Sequence, residues 1–509
     1  MRKKNTVILI LFLLILIIIC SSIICFYAFS FNHNYFAVFP FLNDQSDLIF
    51  ELFDKPEHFS FSLKIPGATV FEKLSLFCAN KSCSIPMILG GTIIFEVFNK
   101  KRKIYSNIFH LSHMTMNCTD EPWTNRICTF RNICYNKDDT FYFESPYRIQ
   151  FESDFLCLGS KTPPVDLELN RMPSGKFKTV NHFNTFIQKN IKEPSHLVSI
   201  YYNMHMLWHS FYDFLFPLYQ TLNIFANNSE IRKRRIFLPE FVPEIPHLTQ
   251  SLTKFQVEKL KNPVCFNELT MGMKKITNLK LDKDDPPYSF CKNCSFGLRS
   301  LVMQYFNITD TNKYKKYLNI VFLGRKSMTR NVINEKEVFE SLKNHFAVDK
   351  LQQKSKEEKE NEYNGNYVQN NNEIDNVQIH YFEVMPLKKQ IEIISKTDVF
   401  IAVHGSGLAN ILWMRPGSSV IEIMPKDFTC RDWYMKAAEA AGVNYYAYYA
   451  KNDGETVGGN IVEAKKCASN KKKCSSKKCI DILRDRNIKL NVQQFMKELI
   501  NFLKSVDLY

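Results

Sequence analysis

The chain has 509 residues, of which 45% are hydrophobic and 23% are charged, with a formal net charge of +15 at pH 7. This composition is that of a globular protein, and the length predicts two or more domains because one hydrophobic core rarely serves so long a chain. The positive charge favours anionic partners such as sugar nucleotides and acidic glycans. Nucleic acid is not expected as a partner, since the basic residues are scattered outside two short runs and no nucleic-acid-binding motif is present.

The N-terminal residues predict a membrane anchor. Arg2, Lys3 and Lys4 precede an uninterrupted apolar run at residues 7–29, which is long enough to cross a bilayer as a helix at ~1.5 Å per residue. A cleavable signal peptide is the alternative, but its apolar region would be shorter and would end in small residues. Because the positive charges come first, residues 1–6 are expected in the cytosol and the rest in the lumen. The chain is therefore predicted to be a single-pass type II protein of the Golgi or endoplasmic reticulum membrane.

Glycosylation sequons and cysteines agree with a luminal location. The chain has five Asn-x-Ser/Thr acceptor sequences, at Asn80, Asn117, Asn227, Asn293 and Asn307. Two of its 15 cysteines lie in the predicted anchor, and pairing is expected for the others in the oxidising lumen, although their odd number leaves at least one unpaired or bonded to another chain. Cys291 and Cys294 predict a structural disulfide rather than a zinc or redox site, because no second pair at zinc-finger spacing accompanies them.

Residues beyond the anchor fall into segments of different pattern. Residues 30–60 have no sustained period, which suits a stem. Residues 61–160 alternate apolar runs with cysteines, which is typical of a β-rich segment stapled by disulfides. Residues 315–450 alternate strand-like and helical patterns, which indicates a parallel, doubly wound α/β sheet. Its predicted strands are Leu318–Leu323, Ile379–Val384, Asp398–Val403, Ser418–Met424 and Val443–Tyr449. Its predicted helices are 334–346, 387–397, 408–414 and 431–441.

Smaller signals refine this segment. Asn334 followed by Glu337 predicts a capping box, and Gly442 is expected in the left-handed conformation that ends a helix. Residues 354–376 are rich in Lys, Glu and Asn and predict a disordered insertion between two strands.

The C-terminal residues carry two further predictions. A lysine-rich stretch around Cys467, Cys474 and Cys479 predicts a surface loop tethered by a disulfide. Contact of its lysines with an acidic acceptor is an open alternative. A helix predicted at 484–505 has its apolar residues on one face, so it is expected to dock on a domain.

A His-Gly-Ser-Gly turn after a buried strand is the first candidate site. The strand delivers His404 to its C-terminal end, and Gly405 and Gly407 let the backbone approach a ligand where a helix begins, an arrangement that suits a phosphate. The turn is not a dinucleotide fingerprint, because Asn410 occupies the position of the third glycine. Glu422 on the next strand either hydrogen-bonds a ribose or is a satisfied polar residue at a strand end.

Two arginines follow the first strand of the same predicted sheet. Arg325 and Arg330 lie on a strand-to-helix loop, where they can pair with a diphosphate, as a leaving group of that charge needs if no metal is present. The nearest Asp-x-Asp sequence, at Asp282 and Asp284, is flanked by proline and polar residues and is typical of a turn rather than a metal site.

A third candidate site combines two histidines and an aspartate. His205, His209 and Asp213 recur at four-residue spacing, so they share one face if the segment is helical. Three roles remain open for them: metal ligation, polar packing in the core, and acid/base work or positioning of an acceptor.

In this order the three blocks resemble glycosyltransferase family 61, whose members have an Asn-x-x-His…Asp block, an Arg…Arg-x-x-x-Asn-Glu block and a His-Gly-(Ala/Ser)-Gly-Leu-x-Asn…Pro-Gly-Ser…Glu block. The resemblance covers residues 195–450. It implies a GT-B-like α/β fold with two Rossmann-type domains facing a cleft, and an inverting mechanism that needs no metal or other cofactor. It assigns the UDP-sugar donor to Arg325, Arg330, Asn334, Glu335, His404, Gly405, Ser406, Gly407, Asn410 and Glu422. The catalytic candidates on the acceptor side are Asp213, His209 and His205, and the base stays open because Asn203 and His205 do not have the family's spacing.

The expected organisation and function follow from this resemblance. Residues 61–310 form the acceptor-side luminal domain, residues 311–483 the nucleotide-sugar-binding domain, and residues 484–509 a docking helix. The expected activity is transfer of xylose or N-acetylglucosamine from a UDP-sugar to a hydroxyl of a glycan or glycoprotein in the secretory pathway. The alternative is a catalytically inactive luminal protein of the same fold that binds glycans or acts as a scaffold.

Overall fold

The structure is a computed structural model. It describes short segments between residues 41 and 198, and residues 206–225, 228–238, 244–260, 263–273, 295–309, 317–347, 376–429, 431–469 and 476–509. Several predictions fall outside these residues: the anchor at 7–29, the insertion at 354–376 except Asn376, the Asp-x-Asp sequence, His205, Cys291, Cys294, Cys474, and the sequons at Asn80, Asn227 and Asn293. A search of the described helices found none with the length and apolarity that a bilayer span requires.

The chain divides into two compact units. One gathers residues 1–156, 174–192 and 262–269, and the other gathers residues 157–173, 193–261 and 270–509. The predicted domains differ from these units, because residues 193–261 were assigned to a domain separate from residues 311–483. Compact units do not by themselves define domains, so the predicted domain boundaries stay predictions.

The first unit is built mainly from antiparallel strands. Its strands are β1 (Phe41–Leu42), β2 (Asp47–Glu51), β3 (Phe59–Ile65), β4 (Ala68–Lys73), β5 (Cys78–Ala79), β6 (Ser82–Pro86), β7 (Leu89–Asn99), β8 (Arg102–Leu111), β9 (Met116–Cys118), β10 (Cys128–Tyr135), β11 (Thr140–Glu144), β12 (Ile149–Phe151), β13 (Lys176–Val180) and β14 (Asn190–Ile191). β7 pairs with β3 and β8, and β10 pairs with β9 and β11, all antiparallel. Disulfides join Cys118 to Cys128 and Cys134 to Cys265. The predicted β-rich, disulfide-stapled segment is confirmed.

The second unit begins with a small set of parallel strands separated by helices. β15 (Ser195–Leu197) pairs in parallel with β16 (Arg235–Leu238), which pairs in parallel with β17 (Glu258–Lys259). The remaining elements of this part are a π-helix (His209–Leu215), α1 (Phe216–Phe225), α2 (Asn228–Ile231), α3 (Glu244–Thr249), a 3₁₀ helix (Gln250–Leu252) and α4 (Phe296–Phe306). Most of β18 (Val264–Met271) belongs to the first unit, where it pairs in parallel with β14. Strand–helix–strand alternation therefore also occurs upstream of the segment where the sequence shows it best.

A five-stranded, all-parallel sheet follows and confirms the predicted doubly wound segment. Its strands are β19 (Ile320–Leu323), β20 (Val377–His380), β21 (Val399–Val403), β22 (Ser419–Met424) and β23 (Asn444–Tyr449). Its helices are α5 (Glu335–Phe346), α6 (Leu387–Ser395) and α7 (Trp433–Ala441), with 3₁₀ helices at Phe382–Val384 and Ser406–Trp413. Every residue of β21 and β22 is buried, as expected of a parallel sheet covered on both faces.

The order of these strands marks a ligand-binding position. The sheet runs β20-β19-β21-β22-β23, so the direction of winding reverses between β19 and β21. In open α/β sheets, ligands bind outside the carboxyl ends of the strands at such a switch point. The residues that follow β19 and β21 are therefore the first place to look for a site.

The helix ends test two local predictions. Gly442 ends α7 with a φ of 63°, which confirms its expected left-handed conformation. Asn334 precedes α5 and donates to Glu337 at 2.9 Å, but its side chain makes no hydrogen bond to a backbone amide of the first turn. The capping box is therefore wrong in its hydrogen bonds, because the Asn334 amide oxygen instead accepts from the backbone N–H of Leu490 at 2.9 Å.

The C-terminal residues pack beside this sheet. Their elements are a 3₁₀ helix (Asp453–Glu455), β24 (Thr456–Val457), α8 (Ile461–Ser469), α9 (Lys477–Arg484), β25 (Asn487–Ile488) and α10 (Val492–Ser505). A disulfide joins Cys467 of α8 to Cys479 of α9, which confirms the predicted tether. The last helix begins at 492 rather than 484, because β25 pairs antiparallel with β24. Its predicted apolar face is buried at Phe495, Met496, Leu499 and Leu503, and each such side chain stabilises the fold by about 1.5–3 kcal/mol relative to exposure.

Candidate active site

Two loops meet at the switch point of the parallel sheet. β19 and β21 are direct neighbours, with Leu323 opposite Ala402, so the residues that follow them emerge side by side. A Cβ built on Gly405 would lie 2.5 Å from Nη1 of Arg325 and 3.7 Å from Nη1 of Arg330. Both guanidinium groups therefore face the turn, and only a residue without a side chain leaves them this close to the backbone.

The turn itself is closely packed against the first strand. A Cβ on Gly407 would lie 2.5 Å from Cδ2 of Leu323, so glycine lets the 3₁₀ helix start directly against β19. Asn410 is fully buried and donates to the carbonyl of Gly407 and to the side chain of Gln390, each at 3.1 Å. Asn410 thus holds the turn in place from behind.

His404 is fixed by a buried carboxylate. Its Nδ1 lies 2.5 Å from Oε1 of Glu422, and the hydroxyl of Tyr445 donates to Oε2 of Glu422 at 2.5 Å. Because an ionised carboxylate only accepts hydrogen bonds, Nδ1 carries the proton of the first pair. Nε2 is then the ring nitrogen left for a ligand. Glu422 is 1% exposed, and both of its carboxylate oxygens accept hydrogen bonds from the protein. Of the two roles left open for it, this matches a satisfied polar residue rather than a residue that binds a ribose.

Aromatic rings complete the environment of His404. The ring of Phe428 lies edge-on to the imidazole at 4.9 Å between centroids, and that of Tyr434 at 5.2 Å. Burial and the negative charge of Glu422 raise the pKa of both Tyr434 and Tyr445, so both phenols stay protonated. They act as neutral walls around the imidazole.

Arg330 carries the clearest electrostatic signature of the site. Burial, followed by the charges of Arg325 and Arg484, lowers its pKa to about 10. Its Nε lies 3.4 Å from Oδ1 of Asp485. The three guanidinium groups repel one another in this half-buried position, and a bound anion would relieve that repulsion. The site therefore suits a phosphate group better than a neutral ligand.

Two other predicted donor residues have structural partners. Asn334 bonds the backbone of Leu490 through both atoms of its side-chain amide, at 2.9 Å in each case. Glu335 begins α5 and accepts a hydrogen bond from the hydroxyl of Tyr381. Ser406, half-exposed, begins the 3₁₀ helix after the turn.

The predicted donor residues fall into two groups. Five of them lie together at the turn: Arg325, Arg330, His404, Gly405 and Ser406. Four others support the surrounding backbone or side chains: Asn334, Glu335, Asn410 and Glu422. Ligand contact by these residues stays a prediction.

The acceptor-side candidates form a buried pair. His209 and Asp213 lie four residues apart on the π-helix, and Nδ1 of His209 bonds Oδ2 of Asp213. This is the shared face that the spacing predicts, and wide helical turns of this kind are frequent at functional sites. Because the carboxylate engages Nδ1, the imidazole is oriented with its Nε2 edge away from Asp213.

The π-helix packs against the elements that carry the turn. The ring of Trp208 lies 5.1 Å from that of Tyr434, the same tyrosine that touches His404. Phe211 lies edge-on to Trp413 at 5.1 Å between centroids. Aromatic contacts therefore link the His209 helix to α7 and to the 3₁₀ helix after the turn.

Sequence analysis missed several residues of this site. Tyr445 had a usable signal: it shares a face of β23 with Ala447, which lies opposite Glu422, and a buried acid needs such a partner. Arg484 and Asp485 had no such signal in the sequence, because they lie in a charged run far along the chain from Arg330, which they approach in space.

The fold is that of an α/β protein with a parallel, doubly wound sheet, and the cationic turn at its switch point has the position and charge that suit a phosphorylated ligand. Residues 207–421 match the family described as Glycosyltransferase 61. This match covers less than half of the chain, and it confirms the resemblance seen in the motifs for the residues that it spans.

Curated relatives agree with this family. Protein O-linked-mannose beta-1,4-N-acetylglucosaminyltransferase 2 of Tetraodon nigroviridis is 22% identical over 334 residues, which cover 61% of this chain and 52% of the relative. The protein of the same name in Xenopus tropicalis is 23% identical over 335 residues, with the same coverage. EGF domain-specific O-linked N-acetylglucosamine transferase of Canis lupus familiaris is 24% identical over 211 residues, 40% of this chain and 34% of the relative. The chain spans about half the length of the first of these relatives.

Proposed function

We propose that this chain is an inverting glycosyltransferase that moves a sugar from a UDP-sugar to a hydroxyl of a glycan or glycoprotein. The observation that carries the proposal is the convergence of Arg325, Arg330 and His404 on one glycine turn at the switch point of the sheet. The sugar is N-acetylglucosamine or xylose. N-acetylglucosamine comes first, because the relatives named above are N-acetylglucosamine transferases.

The donor half of the reaction needs charge stabilisation. The bond between the sugar C1 and the β-phosphate oxygen breaks, and its electron pair stays on the phosphate. Arg325 and Arg330 neutralise that growing charge, and Nε2 of His404 and the amides of the turn hydrogen-bond the phosphate oxygens. In this proposal the guanidinium groups supply the positive charge, so the reaction is expected to need no metal or other cofactor.

The acceptor half needs a base. Asp213 holds Nδ1–H of His209, so Nε2 of His209 can accept the proton of the acceptor hydroxyl as its oxygen attacks C1. Attack from the face opposite the departing phosphate inverts the configuration at C1. His205 remains the alternative base. The GT-B-like arrangement belongs to the same proposal, and it is supported by the two parallel strand sets β15–β17 and β19–β23.

The proposed location is the lumen of the Golgi or endoplasmic reticulum, behind the N-terminal anchor. Asn307 supports it, because this sequon residue is exposed at the end of α4 in a left-handed conformation that leaves its side chain accessible. Asn117, the other described sequon residue, is half-buried in β9. The disulfides of both units fit an oxidising compartment.

The test uses the full chain purified in detergent. UDP should raise its melting temperature, and a panel of UDP-sugars should show slow release of UDP from one donor. Arg325→Ala should weaken UDP binding on the order of 100-fold, because a charge-assisted contact is lost. Lys326→Ala is the matched control, since that ammonium lies over the ring of Tyr381, 5.0 Å from its centroid. UDP binding without release of UDP from any donor would favour the inactive glycan-binding alternative.

The base is tested separately. Asp213→Asn should leave UDP binding intact but lower transfer roughly 100-fold or more, because His209 loses its orienting carboxylate. Full transfer by Asp213→Asn would refute the assignment of His209 and Asp213, and full transfer by Arg325→Ala would refute the donor assignment.

A further inference from the structure

The loop that carries both site arginines is held along its length by a segment near the C-terminus. We define the donor loop as residues 324–334 and the bracing segment as residues 484–490. The backbone N–H of Ile488 donates to Asn331 at 2.8 Å, and the N–H of Ile333 donates to Ile488 at 2.7 Å. The side chain of Asn487 accepts from the N–H of Asn331 at 2.9 Å. The bracing segment lies beyond residue 421, where the family match ends.

Arg330 is oriented from two sides. Its backbone is left-handed, with a φ of 61°, a conformation that non-glycine residues rarely adopt. Its Nε edge faces Oδ1 of Asp485 at 3.4 Å, whereas its Nη1 is the atom near the turn, 3.7 Å from a Cβ built on Gly405. The carboxylate therefore occupies the edge of the guanidinium that points away from the turn.

Asp485 is itself held rigidly. Nε of Arg484 donates to one of its oxygens at 2.8 Å, and Nη2 of Arg484 donates to the other at 2.9 Å. Nη2 of Arg484 also donates to Asp481 at 2.8 Å. Burial would raise the pKa of Asp485, but the hydrogen bond from Arg484 and the charges of Arg484, Arg330 and Arg325 lower it, so the carboxylate stays ionised.

We propose that Asp485 is a positioning residue for donor binding. It holds the Nε edge of Arg330 so that the Nη end of that guanidinium meets the diphosphate at the Gly405 turn, and Arg484 fixes Asp485 in turn. This inference rests on the proposed function, because it takes the ligand at the turn to be a diphosphate. The competing role for Asp485 is an internal anion that the diphosphate must displace. The edge that Asp485 occupies argues against displacement.

The experiment compares variants of the full chain in UDP binding and in donor and acceptor kinetics. Asp485→Asn keeps the shape and removes the charge. It should raise the Kd for UDP and the donor KM about 10-fold, as expected for the loss of one oriented ion pair, and leave the acceptor KM unchanged. Asp485→Glu should restore part of the loss. Asp481→Asn is the matched control, because Asp481 also binds Arg484 but has no contact with Arg330 among the described residues, and it should bind UDP as the wild type does.

Each other outcome decides against the inference. Tighter UDP binding by Asp485→Asn would show displacement, and equal weakening by Asp481→Asn would show a general effect of charge. If Asp485→Asn melts at a lower temperature, Arg330→Lys is compared with the double variant Arg330→Lys/Asp485→Asn instead. A lower UDP affinity of the double variant than of Arg330→Lys would overturn the role of Asp485 through Arg330.

Inorganic pyrophosphate serves as a second probe. A wild-type chain that binds pyrophosphate but not UDP refutes the UDP-sugar donor, while the comparison of Asp485 variants proceeds with pyrophosphate. A wild-type chain that binds neither refutes both proposals.

Discussion

Glu422→Gln tests whether the buried carboxylate determines which ring nitrogen of His404 carries the proton. In the wild type, Glu422 accepts hydrogen bonds of 2.5 Å each from the hydroxyl of Tyr445 and from Nδ1–H of His404. Glutamine has the same size, but its amide has one accepting and one donating group. Its oxygen can still accept from Tyr445, and its nitrogen must then donate to Nδ1 of His404. The ring proton of His404 then lies on Nε2 instead of Nδ1.

The expected magnitudes follow from the two bonds. Hydrogen bonds to a charged group contribute about 1.5–3 kcal/mol and neutral ones about 0.5–1.5 kcal/mol, so each bond weakens by about 1 kcal/mol. The free energy of unfolding should therefore fall by about 2 kcal/mol. Nε2 of His404 can still donate to a phosphate, but no carboxylate then stabilises positive charge on the ring in the bound state, so the Kd for UDP should rise only about 5-fold. His404→Ala removes the contact altogether and should raise that Kd far more.

Urea unfolding and titration calorimetry with UDP provide the two measurements. Tyr445→Phe is the control: it loses one hydrogen bond to Glu422 and some stability, yet keeps the carboxylate beside His404, so its UDP affinity should be that of the wild type. The reasoning is refuted if Glu422→Gln is as stable as the wild type, or if it binds UDP equally well while His404→Ala does not.

Three further predictions concern other parts of the structure. Burial, followed by the charge of Arg234, lowers the pKa of His196 to about 3. Below the unfolded value of about 6.5 the unfolded chain binds the extra proton, so between pH 7.5 and pH 5 this residue costs ~2 kcal/mol of stability, a loss that His196→Gln should remove from unfolding curves at the two pH values. Serine at both Cys467 and Cys479, which are 12 residues apart, should lower the free energy of unfolding by about 3 kcal/mol, and an unchanged urea midpoint would contradict this. Gly405→Ala should push the guanidinium of Arg325 from the turn and weaken UDP binding about 10-fold with little change in melting temperature, since the extended backbone at 405 accepts alanine.

The parallel sheet could be predicted because its strands are continuous apolar runs. β21 and β22 are buried at every residue, so their sequences contain no alternation to confuse the assignment, and each predicted strand overlaps the observed one. The strand predicted at Ile379–Val384 begins two residues too late and ends too late, since β20 spans Val377–His380 and the chain turns into a 3₁₀ helix at Phe382–Val384. The helix predicted at 408–414 is a 3₁₀ helix at Ser406–Trp413, because seven residues do not separate a period of 3.6 from one of 3.0.

The site could be predicted in part for a topological reason. Residues after neighbouring parallel strands meet at one edge of the sheet, so Arg325 and His404 can be grouped from the sequence alone. Contacts that join distant segments have no such rule. Asn331 and Asn487 are 156 residues apart and bond directly, yet nothing local in either segment points to the other. The same limit explains the C-terminal helix: the charged residues before 492 have a helical pattern, but pairing of β25 with β24 interrupts it.

Charge explains why the site needs residues beyond the matched domain. Arg325, Arg330 and Arg484 are close enough for the charges of the other two to lower the pKa of Arg330, so without a ligand their proximity opposes folding. Asp485 offsets part of this cost. Glu422 contacts His404 and Asp485 contacts Arg330, in each case on an edge that leaves another edge for the ligand. In the proposed function a diphosphate supplies the remaining negative charge. The matched family segment ends at residue 421 and contains the residues proposed to face the ligand, whereas Glu422 and Asp485 follow it. A chain ended at that boundary would keep Arg325, Arg330 and His404 but lose the carboxylates that hold His404 and Arg330, and it should bind UDP poorly even if it folded.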